Sequence, residues 1–280
     1  MKRVALSAGA LCVVFATTVS AADMAVKARP VAAPIPVSTW TGCYIGGNAG
    51  WVGGLDNLFT HPGPPSSFQG QNFNPSPNAH SYDPRGDGGT VGGQIGCNWQ
   101  TGRWVLGVEG DGNWSGLRER AFASYPAIVQ TAPAATTWTA HTESLTKDMD
   151  WFATVRGRVG FTVAPQWLIY ATGGAAFAHF NSSLDYNSTT GAFHLVGSTS
   201  VERVGWVVGA GTEWKFAPNW SVKAEYLYMD FGTVGFDAPI VNPTGPGDVR
   251  SWRTEVKLRE QVARVGINYY FNSGPVVAKY

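Results

Sequence analysis

The chain has 280 residues, only 14% of them charged, and its 20 Lys and Arg stand against 19 Asp and Glu for a formal charge of +1. That balance offers no basic excess for a nucleic-acid partner, and after the first 22 residues no apolar run reaches the roughly 18 that a membrane-crossing helix needs. The 12 Trp, 14 Phe, 10 Tyr and 35 Gly favour an all-β fold instead.

Met1-Lys2-Arg3, an apolar run over 4–19 and Ser20-Ala21-Ala22 form the charged, greasy and small-residue parts of a secretory signal, with cleavage expected after Ala22. The run is short for a permanent anchor. Leu11 stands where a lipoprotein site would place a small residue, so Cys12 leaves with the signal. Removing Lys2 and Arg3 leaves 18 basic and 19 acidic residues, a charge of −1, and two cysteines that enter an oxidising compartment. Residues 23–38, with Pro30, Pro34 and Pro36, have no helix or strand period and are expected to be an extended periplasmic leader.

From residue 39 onward, segments alternate apolar with small or polar residues, the period of strands with one greasy and one wet face. In 40–51, Cys43, Ile45, Ala49 and Trp51 oppose Tyr44, Gly46, Asn48 and Gly50. Residues 90–100 follow, then 103–114, where Trp104, Leu106, Val108 and Trp114 oppose Arg103, Glu109, Asp111 and Asn113. In 150–163, Trp151, Val155, Val159 and Phe161 oppose Arg156 and Arg158, and 167–180 continues after a short turn. In 204–216, Trp206, Val208, Ala210, Trp214 and Phe216 oppose Glu213 and Lys215; in 220–230, Val222, Ala224, Tyr226 and Tyr228 oppose Lys223 and Glu225. The last strand, 257–271, sets Val265, Ile267, Tyr269 and Phe271 against Arg264 and Asn268.

Connections alternate between tight turns (Thr101-Gly102, Ala164-Pro165-Gln166, Ala217-Pro218-Asn219) and long stretches at 52–89, 115–149, 181–203 and 231–256. Loop lengths sorted by end of the sheet are a property of outer-membrane barrels, not of soluble sandwiches. Trp40, Trp51, Trp99, Trp104, Trp114, Trp151, Trp167 and Trp220 fall at strand ends, where aromatic girdles meet the membrane interfaces; ordinary core aromatics are the plainer reading. The expected fold is an eight-stranded antiparallel up-and-down transmembrane β-barrel over 39–271, with a tail at 272–280.

Six segments carry a family resemblance: Trp-Thr-Gly-Cys-Tyr-Ile-Gly-Gly-Asn at 40–48, Gly-Gly-Gln-Ile-Gly-Cys-Asn-Trp at 92–99, Gly-Val-Glu-Gly-Asp at 107–111, Thr-Val-Arg-Gly-Arg-Val-Gly at 154–160, Ala-Thr-Gly-Gly at 171–174 and Val-Lys-Ala-Glu-Tyr-Leu-Tyr at 222–228. In this ordered set the chain resembles the small outer-membrane immunogenic proteins, porin-like barrels of Gram-negative bacteria similar in architecture to the OmpA membrane domain. The resemblance implies an eight-stranded barrel in the cell outer membrane, serving envelope integrity, surface antigenicity or, in some members, passive transport. It departs from that pattern in the cysteine pair and in residues 272–280, which run on past Phe271 and leave Phe271 and Tyr280 as two candidate C-terminal signals for the barrel-assembly machinery.

Cys43 and Cys97 share one face and, if the first two strands pair antiparallel, one height, which suits a disulfide; two free buried thiols are the alternative. The wet-face charges Glu109, Asp111, Arg156, Arg158, Glu213, Lys215, Lys223, Glu225 and Arg264 are forced inward by the cost of charge against lipid. An eight-stranded lumen is only wide enough for side chains, so these are expected to pair as a plug, an ion path being the other reading. The glycine strings at 86–93 and 173–174 open no helix and make no phosphate loop; they relieve crowding in a tightly curved barrel.

No catalytic, cofactor or metal site is expected. His179 near Ser182 and Ser183 lacks an acid in register, and His61, His80, His141 and His194 lie in the long stretches without ligand spacing. The first two long stretches carry aromatics (Phe59, Phe68, Phe73, Tyr82; Phe122, Tyr125, Trp138) in polar surroundings that suit an antigenic surface or, less simply, an adhesin. The leading expectation is a monomeric envelope-stability protein and surface antigen with a plugged lumen, its partners being outer-membrane lipid and lipopolysaccharide. A narrow passive porin comes next, then a loop-borne adhesin.

Overall fold

The structure is a computed structural model that describes residues 39–55, 58–62, 80–82, 85–130, 136–138, 140–188, 194–239, 241 and 251–271. The expected signal, leader and tail, and the loop aromatics Phe68 and Phe73, lie outside the described residues. The first strands in chain order are β1 (Gly42–Gly54), β2 (Leu58–Pro62), β3 (His80–Tyr82), β4 (Arg85–Thr101), β5 (Trp104–Tyr125), β6 (Ile128–Gln130) and β7 (Thr136–Trp138). Then come β8 (His141–Ala164), β9 (Trp167–Ser188), β10 (His194–Ala217), β11 (Trp220–Pro239) and β12 (Ser251–Tyr270).

Eight of these, in the order β1-β4-β5-β8-β9-β10-β11-β12, form an antiparallel ring that closes when β12 pairs with β1 from Tyr44↔Tyr270 to Gly54↔Glu260. Closure satisfies every ladder hydrogen bond without leaving an edge, the condition for strands to stand in lipid. β2 and β3 extend the sheet beyond β12, and β6 and β7 form a ribbon between β5 and β8. The turns at Thr101, Ala164 and Ala217 are as short as the sequence requires; Gly102 takes φ +60°, a conformation that favours glycine, to turn β4 into β5.

The strands run well past their expected ends. β5 continues to Tyr125, β8 starts at His141, β9 runs to Ser188, β10 starts at His194, β11 runs to Pro239 and β12 starts at Ser251. Much of the three long stretches expected after residue 114 is therefore strand. Phe122 and Tyr125 belong to β5, while His141 and His194 open β8 and β10.

The reason is a change of solvent along each strand. Between the lower outward aromatics (Trp99, Trp104, Trp167, Trp220, Tyr269) and the upper ones (Trp51, Trp114, Trp151, Trp206), most outward positions are apolar and exposed, and the charged side chains Glu109, Asp111, Arg156, Arg158, Glu213, Lys223, Glu225 and Arg264 stand inward and buried. The band from Trp104 to Trp114 spans about 25 Å at a tilt near 40°, a hydrocarbon thickness. Above it the polarity inverts. Outward positions become Arg118, Arg120, Asp148, Asp150, Asn181, Ser183, Glu202, Lys257 and Arg259, while inward ones become Leu117, Leu145, Met149, Phe180, Leu184, Met229, Phe231, Val256 and Leu258. The upper half is thus an ordinary water-facing barrel with an apolar core, standing roughly 20 Å beyond the membrane by the same strand rise. Each large apolar side chain fully buried there stabilises this storey by about 1.5–3 kcal/mol.

Candidate functional site

The lumen holds the candidate site, and it is filled from bottom to top in three layers. Trp40, just ahead of β1, is fully buried in the lower mouth rather than sitting in the outer girdle where its position at a strand end had suggested. Its backbone N–H donates to Gln100 Oε1 at 2.8 Å and its indole N–H reaches the Pro165 carbonyl at 3.2 Å, in the turn half-way round the ring. Tyr270 meets its ring edge-on and Tyr44 lies tilted against Tyr270, with Val105, Leu168 and Tyr170 completing the floor.

The second layer gathers the inward charges. Arg156 projects from β8 onto Glu109 Oε1 at 2.5 Å, Asp111 Oδ2 at 2.9 Å and Glu225 Oε1 at 2.9 Å. Arg264 from β12 meets Asp111 Oδ1 at 2.9 Å and Glu225 Oε2 at 2.8 Å. Lys223 donates to both Glu109 oxygens at 2.7 and 2.8 Å. Arg158 pairs with Glu213 at 3.0 Å and lies over the rings of Tyr44 and Tyr170. Glu213 also accepts from Ser221, Asn268 and Tyr270, while the Tyr44 hydroxyl donates to Glu109 at 2.6 Å.

Four acids (Glu109, Asp111, Glu213, Glu225) thus face four bases (Arg156, Arg158, Lys223, Arg264), all nine-tenths buried or more. Buried ions persist only when paired and hydrogen-bonded, because taking each out of water carries a penalty of several kcal/mol. Bonds that run from β5 to β8, β11 and β12 join walls on different sides of the ring. Lys215 departs from the expected ion-pair cluster. It points inward and is buried, yet it makes no ion pair among the described residues; its ammonium donates to the Thr39 carbonyl at 2.6 Å and lies 4.1 Å from the Tyr270 ring centre, so it belongs to the floor.

Glycine is required where these long side chains cross. A Cβ on Gly46 would collide with the Asn268 and Gln94 side chains, themselves joined by a 2.8 Å hydrogen bond.

The third layer is the apolar storey above the membrane, and it contains a charge group that the sequence did not disclose. Lys147 Nζ lies 2.8 Å from Glu119 Oε2 and 2.8 Å from Glu260 Oε1, with all three side chains at most 1% exposed. Burial pushes the Glu260 carboxyl above its ordinary range against the opposing pull of Lys147, and burial likewise lowers Lys147. Glu260 shares the inward phase of Arg264, a signal available in the sequence; Glu119 and Lys147 lay in a stretch read as loop. Higher still, His141 is stacked between Tyr125 and Tyr186, and Tyr186 meets Trp252.

Outside the barrel, His179 is the direct cross-strand partner of Trp151. Ser182 points into the lumen and Ser183 is hydrogen-bonded to the Thr146 hydroxyl, so the serine found at His179 Nε2 is Ser200, whose Oγ lies 3.2 Å away. An acid absent from the sequence reading, Asp150, approaches at 3.7 Å. Serine and acid meet the same ring nitrogen, whereas a relay needs them on opposite nitrogens. Among the described residues no cluster of His, Cys, Asp and Glu is able to hold a metal ion.

Cys43 and Cys97 face each other across β1 and β4, with Cα atoms 4.0 Å apart, and are joined by a disulfide on the outward face near the short-turn end. Closing a separation of 54 residues is expected to stabilise the barrel by up to about 4 kcal/mol on the chain-entropy account. Cys43→Ser/Cys97→Ser is therefore expected to lower the urea midpoint in detergent micelles without altering the compact form. An unchanged midpoint would mean that the ring ladders alone set this region's stability.

Comparison with known proteins gives a consistent result. A family model described as "Outer membrane protein beta-barrel domain" matches residues 9–271. The chain is 34% identical over 275 residues to the 31 kDa outer-membrane immunogenic protein of Brucella melitensis biotype 1, covering 97% of this chain and 100% of that protein. It is 27% identical over 259 residues to the 25 kDa outer-membrane immunogenic protein of Brucella abortus biovar 1, covering 92% of each. Among solved structures, the outer membrane protein OprG from Pseudomonas aeruginosa aligns with a TM-score of 0.45 at 10% identity, over 85% of this chain and 100% of that one.

Proposed function

The chain belongs to the outer-membrane β-barrel protein family and resides in the outer membrane, and from that premise we propose that it is a sealed structural barrel, not a pore. It strengthens the outer membrane and raises a polar, surface-exposed turret that carries the long loops into the medium. The observation that carries this reading is the stacking of three independent closures along one lumen: the Trp40 floor, the paired-ion layer and the apolar storey. A solute or ion would have to displace all three. A narrow porin would need a continuous wet path, and Arg156, Lys147, Phe152 and Phe180 are each less than 2% exposed.

Antigenicity is a property carried in the names of the Brucella relatives, and the turret is the part of this chain suited to it, because its outward face is charged and hydroxyl-rich. The closed ring suits a monomer. The outward aromatics Tyr269 and Phe271 at the end of β12 are what the barrel-assembly machinery would read. No hydrolytic role is assigned to His179, given its geometry.

Purified protein in planar bilayers is expected to give no steady open level, and Trp40→Ala is expected to leave it silent, since two closures remain. A reproducible open level in the unmodified protein would overturn the sealed-barrel reading in favour of the porin.

A further inference from the structure

Every base of the buried ion layer meets an acid, but two arginines on the outside do not. Arg118 and Arg120, successive outward residues of β5, are exposed and make no ion pair or hydrogen bond with any described residue. Asp87 and Asp148 flank Arg118 in register, beyond ion-pair distance, and Asp87 accepts from the Trp51 indole at 2.7 Å; Thr146 and Arg85 flank Arg120. One step further along β5, Phe122 is 72% exposed, with outward Arg120 before it and outward Ser124 after it. Beside it on β8 stand Ser144 and Thr146, and the Thr146 hydroxyl is 2.6 Å from that of Ser183.

We propose that this wall, Arg118, Arg120 and Phe122 with the hydroxyl row of β8, binds the phosphorylated sugar headgroup of the glycolipid that surrounds the barrel. Three features select that occupant. The first is charge: two unpaired guanidinium groups suit phosphate, for which the planar fork offers bidentate hydrogen bonds. The second is the mixture, because Asp87 and Asp148 would repel a bare phosphate cluster but accept hydrogen bonds from sugar hydroxyls, while an exposed ring offers an apolar face to a pyranose. The third is height. Arg118 stands roughly 10 Å and Phe122 roughly 20 Å above the Trp114 girdle at the strand rise and tilt of such barrels, whereas the polar zone of a phospholipid leaflet is only about 5–8 Å deep. A phospholipid headgroup stops short of Phe122; a saccharide reaches it.

The proposal rests on the membrane placement given above but not on the sealed lumen, so its test is separate from bilayer conductance. Full-length mature protein in nanodiscs of zwitterionic phospholipid would be titrated with a purified phosphorylated lipopolysaccharide and, in parallel, with the same material after phosphatase treatment. Each arginine near an anionic leaflet is worth about fivefold in affinity, so Arg118→Gln/Arg120→Gln is expected to weaken binding about 30-fold. The double variant is also expected to lose the difference between phosphorylated and dephosphorylated forms. Phe122→Ser is expected to weaken both forms by the same factor, since it removes a sugar contact. All three side chains are exposed, and an unchanged compact gel form would show that the variants fold. The proposal fails if the double variant binds like the unmodified protein. It also fails if inorganic phosphate or an anionic phospholipid competes as well as the glycolipid does.

Discussion

Arg156→Met is expected to destabilise the barrel by about 3–5 kcal/mol, the range for removing one partner from a buried ion network. Arg156 reaches three carboxylates at 2.5 to 2.9 Å from β8, and without it Glu109, Asp111 and Glu225 share Lys223 and Arg264, with Arg158, already paired to Glu213, 3.9 Å from Glu109. One negative charge is then left buried in a low-dielectric lumen, and neighbours held by glycine-lined walls have little room to rearrange. The measurement is the temperature at which the compact gel form converts to the extended one, supported by urea unfolding in lipid vesicles. A variant that keeps its transition temperature while conducting ions would show that the charges line a path rather than close one.

Lys147→Met is expected to have an effect of similar size, but one that depends on pH. The substitution removes the ammonium that lies 2.8 Å from both Glu119 and Glu260 in the apolar storey. Burial already raises the Glu260 carboxyl above its ordinary range against the pull of Lys147, and removing Lys147 removes that pull, so in the variant the window of pH in which the folded state holds a proton that the unfolded chain releases is wider. The stability tied to that proton is fully present below the ordinary carboxylate range and is lost as pH rises through the raised value. The variant is therefore expected to lie closest to the unmodified protein near pH 5 and furthest from it near pH 8. Adding Glu119→Gln and Glu260→Gln is expected to restore most of the loss at pH 8, because both carboxylates that Lys147 joins are then neutral. A deficit that is flat with pH, or that survives in the triple variant, would mean that Lys147 acts through the packing of its stem alone.

What could be read from the chain, and what could not, divides at the upper girdle. Within the membrane, Trp104, Leu106 and Val108 alternate with Val105, Gly107 and Glu109, and hydrocarbon outside leaves only one face on which charge can stand. Strand number, antiparallel order, the faces of Arg156 and Glu225 and the opposition of Cys43 to Cys97 all follow from that single constraint. Above the girdle the same alternation persists with its meaning reversed, Leu117 and Phe180 turning inward while Arg118 and Asn181 turn outward. The register also slips between Met149 and Trp151 on β8 and between Asp230 and Thr233 on β11. An inward row of even-numbered residues (Phe152, Thr154, Arg156) becomes an odd-numbered one (Met149, Lys147, Leu145), and a strand pattern read across that slip looks like none.

The sequence by itself determined the membrane-spanning ring, because lipid permits one register. Only the tertiary structure decided the water-facing storey, the Lys147 group and the place of Trp40. A side chain outside lipid is free to be buried or exposed, and which of the two it becomes depends on the strand facing it across the lumen.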